Sequence, residues 1–361
     1  MKFYARCLLI AFASSLVAVM SGQQALAQFY KDKTISVVVP SGAGGGLTRS
    51  ARLFVKYMAG HIVGSPKMVI KNIPGGVKGH NFIAEKATPD GKTIMWGPMF
   101  FAGVLTGAPG YRYDPAKFGV VGTGNSSFVS IVRKDVPPSI NNPSDLTKIT
   151  KPVVTGGIRP GGILDMFQQL SFDALGIPYR HVTGYRGMPK VNAAIRAKEV
   201  QALTVGHPGY HAFFRNTILK DGTAIAPFYH SPFDPKTGEP VRLPGRYPAN
   251  IKHFVDAYKD IKGSAPSGAA WEAYKWFASY ETWSYFVVAP PGTPKEAVAA
   301  LREAHAKVPN DPGFKKDWTK QFRDIPVFLT GEKAALLTVK HKNVSASTLA
   351  YLKKTVAPTA K

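Results

Sequence analysis

The chain is short of cysteine, of acids and of long apolar runs. Its one cysteine is Cys7, inside a leader expected to be removed, so the folded protein has no disulfide, no thiolate metal site and no cysteine nucleophile. Asp and Glu number 22 against 46 Lys and Arg, a net charge of +24. Such a field draws anions and would also suit nucleic acid. The basic residues are scattered in ones and twos, however, with no basic helix carrying interleaved aromatics, so nucleic acid is not the expected partner. Beyond the leader, no segment reaches the apolar length of a transmembrane helix. Nucleotide and nucleophile signatures are missing too. Leu47 stands where the last glycine of GxGxxG belongs, and no acid follows at the distance a dinucleotide ribose needs. There is no Walker lysine–serine pair and no GxSxG elbow. His207 and His211 have the i, i+4 spacing of a helical metal pair, but Pro208-Gly209 argues against a helix there and no HExxH accompanies them. Neither metal nor cofactor is expected.

What is present begins with an export signal. Lys2 and Arg6 precede an apolar Cys7–Met20, and Ala25-Leu26-Ala27 supplies small residues at −3 and −1 of a cleavage site before Gln28. Residues 1–27 therefore read as a secretory signal peptide. No cysteine follows the apolar stretch to carry a lipid. Without Lys2 and Arg6 the net charge of +24 falls to +22, and 361 residues leave room for two domains with a large core.

The rest is organised around Val37-Val38-Val39-Pro40-Ser41-Gly42-Ala43-Gly44-Gly45-Gly46. A β-branched run stops at a proline, a glycine-rich turn follows, and Leu47, Ala51, Phe54, Val55 and Met58 recur at helical spacing. Glycines let a ligand approach bare N–H groups. The first helical turn adds unpaired donors and the positive end of the dipole, which together make an anion seat. Lys67–Lys71 reads as a second strand, ending in Pro74-Gly75-Gly76-Val77-Lys78-Gly79. A helix over His80–Ala87, a turn at Pro89-Asp90-Gly91 and a third strand over Thr93–Trp96 follow. Val153-Val154 leads into Thr155-Gly156-Gly157 and a helix carrying Ile163, Met166, Leu170 and Phe172. Next come Tyr179–Val182, the turn Thr183-Gly184-Tyr185-Arg186-Gly187, and a helix over Val191–Lys198. Alternating strands and helices predict parallel sheets, with ligands beyond the carboxyl ends of the strands. Glycine loops in both halves predict an α/β protein with a cleft between two lobes.

Further along, Asp234–Gly268 reads as surface loops with a short helix near His253–Tyr258, and Glu281–Ala289 as a strand. Thr293, Pro294 and Glu296 are placed as N-cap, first helical position and capping-box partner. A final amphipathic helix is expected over Glu332–Lys354.

These motifs resemble the solute-binding proteins of tripartite tricarboxylate transporters, the Bug family. The matches run in order: Phe29-Tyr30-Lys31, Gly44-Gly45-Gly46 followed by Ala51-Arg52, Asn72-Ile73-Pro74-Gly75, Pro89-Asp90-Gly91, Val182–Gly187 with Asn192, and Val288-Ala289-Pro290-Pro291-Gly292-Thr293-Pro294. The resemblance implies a two-domain periplasmic-binding fold of type II-like α/β architecture with two crossing strands. The expected domains are 28–127 plus 289–361 and 128–288, with hinge strands near 128–132 and 281–288. It implies a monomer in the periplasm, cleaved after Ala27. This protein would capture a small organic anion, a carboxylate, between its lobes and hand it to the membrane subunits of the transporter. Carried over, the ligand-binding residues are Ser41, Gly42, Ala43, Gly44, Gly45, Gly46 and Thr48 in the first loop, and Gly75, Gly76, Val77, Lys78 and Gly79 in the second. In the second domain they are Thr155, Gly156, Gly157, Tyr185, Arg186 and Gly187. A sensor component for a membrane receptor and a secreted enzyme are the alternatives.

Departures bear on the ligand. Many relatives carry Thr-Asp after the three glycines, where this chain has Leu47-Thr48. Lys78 interrupts the usual second loop, and Val205 replaces an acid found in some relatives. Fewer acids and an added lysine favour an anionic or apolar ligand over one with an amino group. Arg186 is the stronger candidate to pair a far carboxylate. Arg159 is weaker, because Pro160 is expected to turn it outward. Trp96, Phe100 and Phe101 are read as core rather than cleft.

Overall fold

The computed structural model describes residues 29–185, 187–234, 237–323 and 325–356. The leader expected over residues 1–27 and Arg186 lie outside the described residues. Among the described residues the strands are β1 (Thr34–Val39), β2 (Lys67–Asn72), β3 (Thr93–Gly97), β4 (Gly119–Gly124), β5 (Phe128–Arg133), β6 (Val153–Gly156), β7 (Tyr179–Val182), β8 (Ala202–Gly206), β9 (Ala224–His230), β10 (Lys252–His253), β11 (Phe286–Ala289) and β12 (Phe328–Thr330). The longer helices are α1 (Gly46–His61), α2 (Lys78–Glu85), α3 (Phe101–Leu105), α4 (Ile163–Leu175), α5 (Met188–Arg196), α6 (Phe254–Lys262), α7 (Ala269–Glu281), α8 (Lys295–Lys307), α9 (Pro312–Phe322), α10 (Gly331–Lys340) and α11 (Ala346–Val356).

The strands form two mixed sheets, ordered β12-β4-β11-β3-β1-β2 and β10-β9-β5-β8-β6-β7. In the first, β1 lies between β2 and β3 and is parallel to both. In the second, β6 lies between β7 and β8, again parallel to both. Each lobe therefore holds a βαβαβ unit of the same topology, β1–α1–β2–α2–β3 and β6–α4–β7–α5–β8. The strand order changes direction at β1 and at β6, which is where an open α/β sheet forms its crevice. Val37, Val38 and Val39 are buried, as a central parallel strand covered on both faces requires. β2 alternates exposed and half-buried along its length, in keeping with its place at the sheet edge.

Two segments cross between the sheets. One runs from β4 through Asn125–Ser127 into β5; the other runs from α7 through Thr282–Tyr285 into β11. They lie side by side, with Ser126 N donating to Thr282 O at 2.7 Å and Gly124 N to Tyr285 O at 3.2 Å. α11 packs on α4 and α7, so the C-terminal helix returns to the second sheet's helices rather than staying with the first.

Four local expectations need correction. Glu281–Ala289 is a strand only from Phe286. Ala273, Tyr274, Phe277, Ala278 and Glu281 fall on one buried helical face, so α7 runs through Glu281. The final helix is two helices, because Ser345 Oγ accepts from Thr348 N and starts a new one. Pro294, not Thr293, caps α8, and the Thr293 hydroxyl donates to Pro290 O instead. Residues 207–214 are helical despite Pro208-Gly209, with Pro208 tolerated at the first turn.

Candidate functional site

The first loop is built by its own polar side chains. Ser41 N donates to Val39 O at 2.8 Å, and Gly45 N to Gly42 O at 2.9 Å. The Thr48 hydroxyl donates to Gly42 O at 2.8 Å. Asn72, at the end of the neighbouring strand, donates to both Ser41 O and Thr48 Oγ1 at 2.8 Å. These bonds fix the turn and leave the start of α1 open. Gly45 caps it without a side chain, and no acid stands in its first turn. The N–H groups of Gly46, Leu47 and Thr48 thus keep the positive end of a sixteen-residue helix uncompensated.

The second loop lies beside the first. Gly75 and Gly76 take φ of +99° and +77°, which side chains other than glycine rarely adopt. Gly79 is buried against Pro40, where an added Cβ would come within 3.1 Å of the proline Cβ. α2 also starts without a side-chain cap or a first-turn acid. Val77 is half-buried on core side chains, and Lys78 stands exposed at the first helical position. Two uncapped helix starts therefore meet at the carboxyl ends of β1 and β2.

In the second lobe the corresponding turn after β6 is already occupied by the chain itself. Asp165, fully buried in the first turn of α4, accepts from Ile158 N at 2.7 Å and Arg159 N at 3.2 Å through Oδ1. Its Oδ2 accepts from Thr183 Oγ1, and His181 Nε2 lies 2.9 Å from it. The Thr155 hydroxyl is engaged with His181 Nδ1 at 2.8 Å. Gly156 lies in the β6 ladder, and Gly157 N donates to Val182 O. The polar atoms of Thr155, Gly156 and Gly157 thus serve the lobe's own structure. Tyr185 packs on the cluster around Met188 and Val191. Burial and then Glu199 push its phenol above the ordinary range. Gly187, at φ +90°, precedes α5, which again starts uncapped and without a first-turn acid.

The lobes touch along these loops. A Cβ on Gly46 would lie 3.0 Å from Gly209 N and 3.1 Å from Pro208 Cβ. The Arg159 guanidinium passes beside Gly76 and stacks on Phe100, its Cζ 4.6 Å from the ring centre. Tyr111 reaches Pro160 O at 3.5 Å. His207 Nε2 hydrogen-bonds with Phe322 O, and its Nδ1 lies 3.0 Å from Tyr247 Oη. Burial, then the neighbouring Arg246 and His211, hold His207 well below the usual histidine range. Among the described residues no group of three or more His, Cys, Asp or Glu is placed to hold a metal ion.

Neither a protein-family model nor a curated protein sequence matches the chain. Solved structures do. The periplasmic binding protein BugD aligns at 20% identity over 90% of this chain and 97% of that one, with a TM-score of 0.60. MatC from Rhodopseudomonas palustris, solved with bound malate, aligns at 18% over 90% and 99%, with a TM-score of 0.60. A second R. palustris protein, solved with adipate, aligns at 19% over 90% and 97%, with a TM-score of 0.62. The fold is that of the two-lobed periplasmic binding proteins. At such identities the likeness concerns the fold.

Two features escaped the sequence reading. Pro160 predicts an outward Arg159, yet its guanidinium turns in between the lobes. Asp165 is not singled out by the sequence pattern, although an acid in the first turn of a helix is favoured by the dipole there. Trp96 and Phe101 are core as expected. Phe100 is buried too, but it also carries the Arg159 guanidinium at the contact between lobes.

Proposed function

We propose that this chain is a periplasmic solute-binding protein of the tripartite tricarboxylate transporter type. It captures a small organic carboxylate between its lobes and delivers it to the membrane subunits. The observation that carries the reading is the pair of uncapped, acid-free helix starts, α1 and α2, at the ends of neighbouring parallel strands and facing the second lobe. Backbone N–H groups and two helix dipoles there favour a carboxylate. Ser41 to Gly46 with Thr48, and Gly75 to Gly79, form the first-lobe seat; Gly187 and the neighbouring Tyr185 and Arg186 close it from the second lobe. The ligand-bound relatives of the same fold, one with malate and one with adipate, support carboxylate as the ligand class. The sequence motifs and BugD support the transporter assignment. The two crossing segments serve as hinges of an open–closed equilibrium that ligand shifts. Export through the leader, with cleavage after Ala27, is part of the same reading, as are monomeric capture and binding without chemical turnover.

Thermal unfolding of the protein beginning at Gln28 tests it, against a panel of organic acids, amino acids and sugars. A ligand that binds only the native state raises the melting temperature. A rise with carboxylates is expected. A rise only with sugars, amines or metal ions, or strong binding of aspartate in preference to acids lacking an amino group, overturns the ligand class.

A further inference from the structure

Arg159 stands between the lobes with no ion pair to its guanidinium among the described residues, Asp165 acting on it only through its field. Its backbone belongs to the β6–α4 turn of the second lobe, while its guanidinium lies over Phe100 of the first. A Cβ on Gly76, at the tip of the second glycine loop, would lie 3.8 Å from both Arg159 Cδ and Nη1. Nη1 has no solvent contact and no hydrogen-bond partner among the described residues. The charged and titratable groups around it do not pair with it directly. Both oxygens of Asp165 are committed to Ile158 N, Arg159 N, His181 and Thr183. Tyr111 and Tyr113 are phenols that burial pushes up, so they stay neutral. His80 is pulled down to about 3, chiefly by burial, and is neutral as well. Glu281 is pushed up by burial to about 8, against a hydrogen bond from Ala102 N that pulls it down. A buried guanidinium nitrogen without a partner is costly to hold. Its planar fork also matches a carboxylate in a way a lysine does not.

We infer that Arg159 is the second lobe's charge anchor: its fork takes one carboxylate of a dicarboxylate, between Phe100 and Gly76, while the helix starts of the first lobe take the other. This rests on the carboxylate reading above. Specificity then comes from a division of labour, with backbone donors in one lobe and a single side-chain cation in the other. A ligand with two carboxylates engages both and holds the lobes together; a monocarboxylate satisfies only one.

Calorimetry on the protein from Gln28 with malate, adipate and the monocarboxylates butyrate and hexanoate, for wild type, R159Q and R159K, tests this. The expected result is a wild-type preference for the dicarboxylates, reduced about 100-fold in R159Q with monocarboxylate affinity nearly unchanged. R159K, keeping the charge but not the fork, falls about tenfold. Melting of the ligand-free variants supplies the control, since removing an unpartnered cation leaves their stability equal or higher, whereas loss of a purely structural clamp lowers it. Dicarboxylate binding by R159Q within threefold of wild type overturns the anchor and leaves the carboxylate reading standing. Failure of the wild type to bind any of the four acids overturns both.

Discussion

In the first lobe the turn after β1 closes on glycines and leaves the start of α1 without a side-chain acceptor or an acid. In the second lobe the turn of the same topological position, after β6, closes on Asp165, which accepts from two backbone N–H groups and holds His181 and Thr183. Both turns put donors at the carboxyl end of a central parallel strand. One leaves them without a side-chain acceptor, and the other fills them with a carboxylate of its own. The difference teaches that a glycine loop before a helix is an anion seat by geometry, and that whether it is free depends on what stands in the first helical turn.

The largest effect tests the filled seat. D165A strips four hydrogen-bonding groups of their shared acceptor inside a buried site, and should cost about 3–5 kcal/mol of stability. Urea unfolding at neutral pH reads it. A loss under about 1 kcal/mol, the size of a typical single substitution, would mean that Asp165 does not organise the turn and that the two loops are alike after all.

The next effect tests the open seat. Gly45 has φ of −70° and ψ of 154°, which valine adopts freely, but a Cβ there would overlap Ser41 Oγ and lie 3.1 Å from Gly42 O. G45V should therefore push the loop across its donors. Losing one or two charge-assisted hydrogen bonds lowers carboxylate affinity about 100-fold. Stability should change by less than about 1 kcal/mol, since the site is at the surface of the loop. Wild-type affinity in G45V, measured by calorimetry, would remove the first loop from the binding site.

Much of this was legible in advance. The β-branched run before Pro40, the helical recurrence from Leu47 to Met58 and the order of the glycine motifs place β1, α1 and the cleft, because local steric and periodic rules decide those elements. The use of each loop was not legible. Thr155 to Gly157 have the same residue types as an open seat, and only the fold brings His181 and Asp165 onto them. The inward turn of Arg159 depends on Phe100, far away in sequence and in the other lobe. The strand expected from Glu281 begins five residues later, since an aromatic run on a buried face reads alike at either period until its packing partner is known.

A pH-dependent effect sharpens the comparison through the two histidines. His181 of the second lobe sits on Asp165, whereas His80 of the first lobe is buried with only Pro98 O for its Nε2, at 2.6 Å, and no acid beside it. Burial is the main reason His80 is held down to about 3, from an ordinary 6.5. In the unfolded chain it takes up a proton as pH falls through 6.5, while the folded chain refuses one until about 3. The folded state therefore loses stability on acidification across that window, by about 2 kcal/mol from this group at pH 5. Other buried histidines, among them His253 and His305, also held near 3 mainly by burial, steepen the same limb. H80Q, whose amide can still donate to Pro98 O, should flatten the fall in unfolding free energy between pH 7 and pH 5. An unchanged slope would show that His80 is not a source of the acid limb.

The smallest effect separates attraction at a distance from contact in the seat. Lys78 is exposed, and its stem runs along Gly75, where an added Cβ would meet Lys78 Cδ at 3.3 Å. A cation at a helix N-terminus is mildly unfavourable to the helix, so K78A should leave stability the same or slightly higher. What the lysine adds is attraction for an arriving anion, and charges exposed to water are screened over about 10 Å at 0.1 M salt. K78A should therefore slow carboxylate association about threefold at low ionic strength and barely at all in 0.5 M salt, with dissociation unchanged. Arg159, enclosed between the lobes, should act on dissociation and resist salt. If K78A instead raised the dissociation rate by a factor that salt did not erase, Lys78 would be touching the ligand, and the first lobe would bind by side chain as well as by backbone.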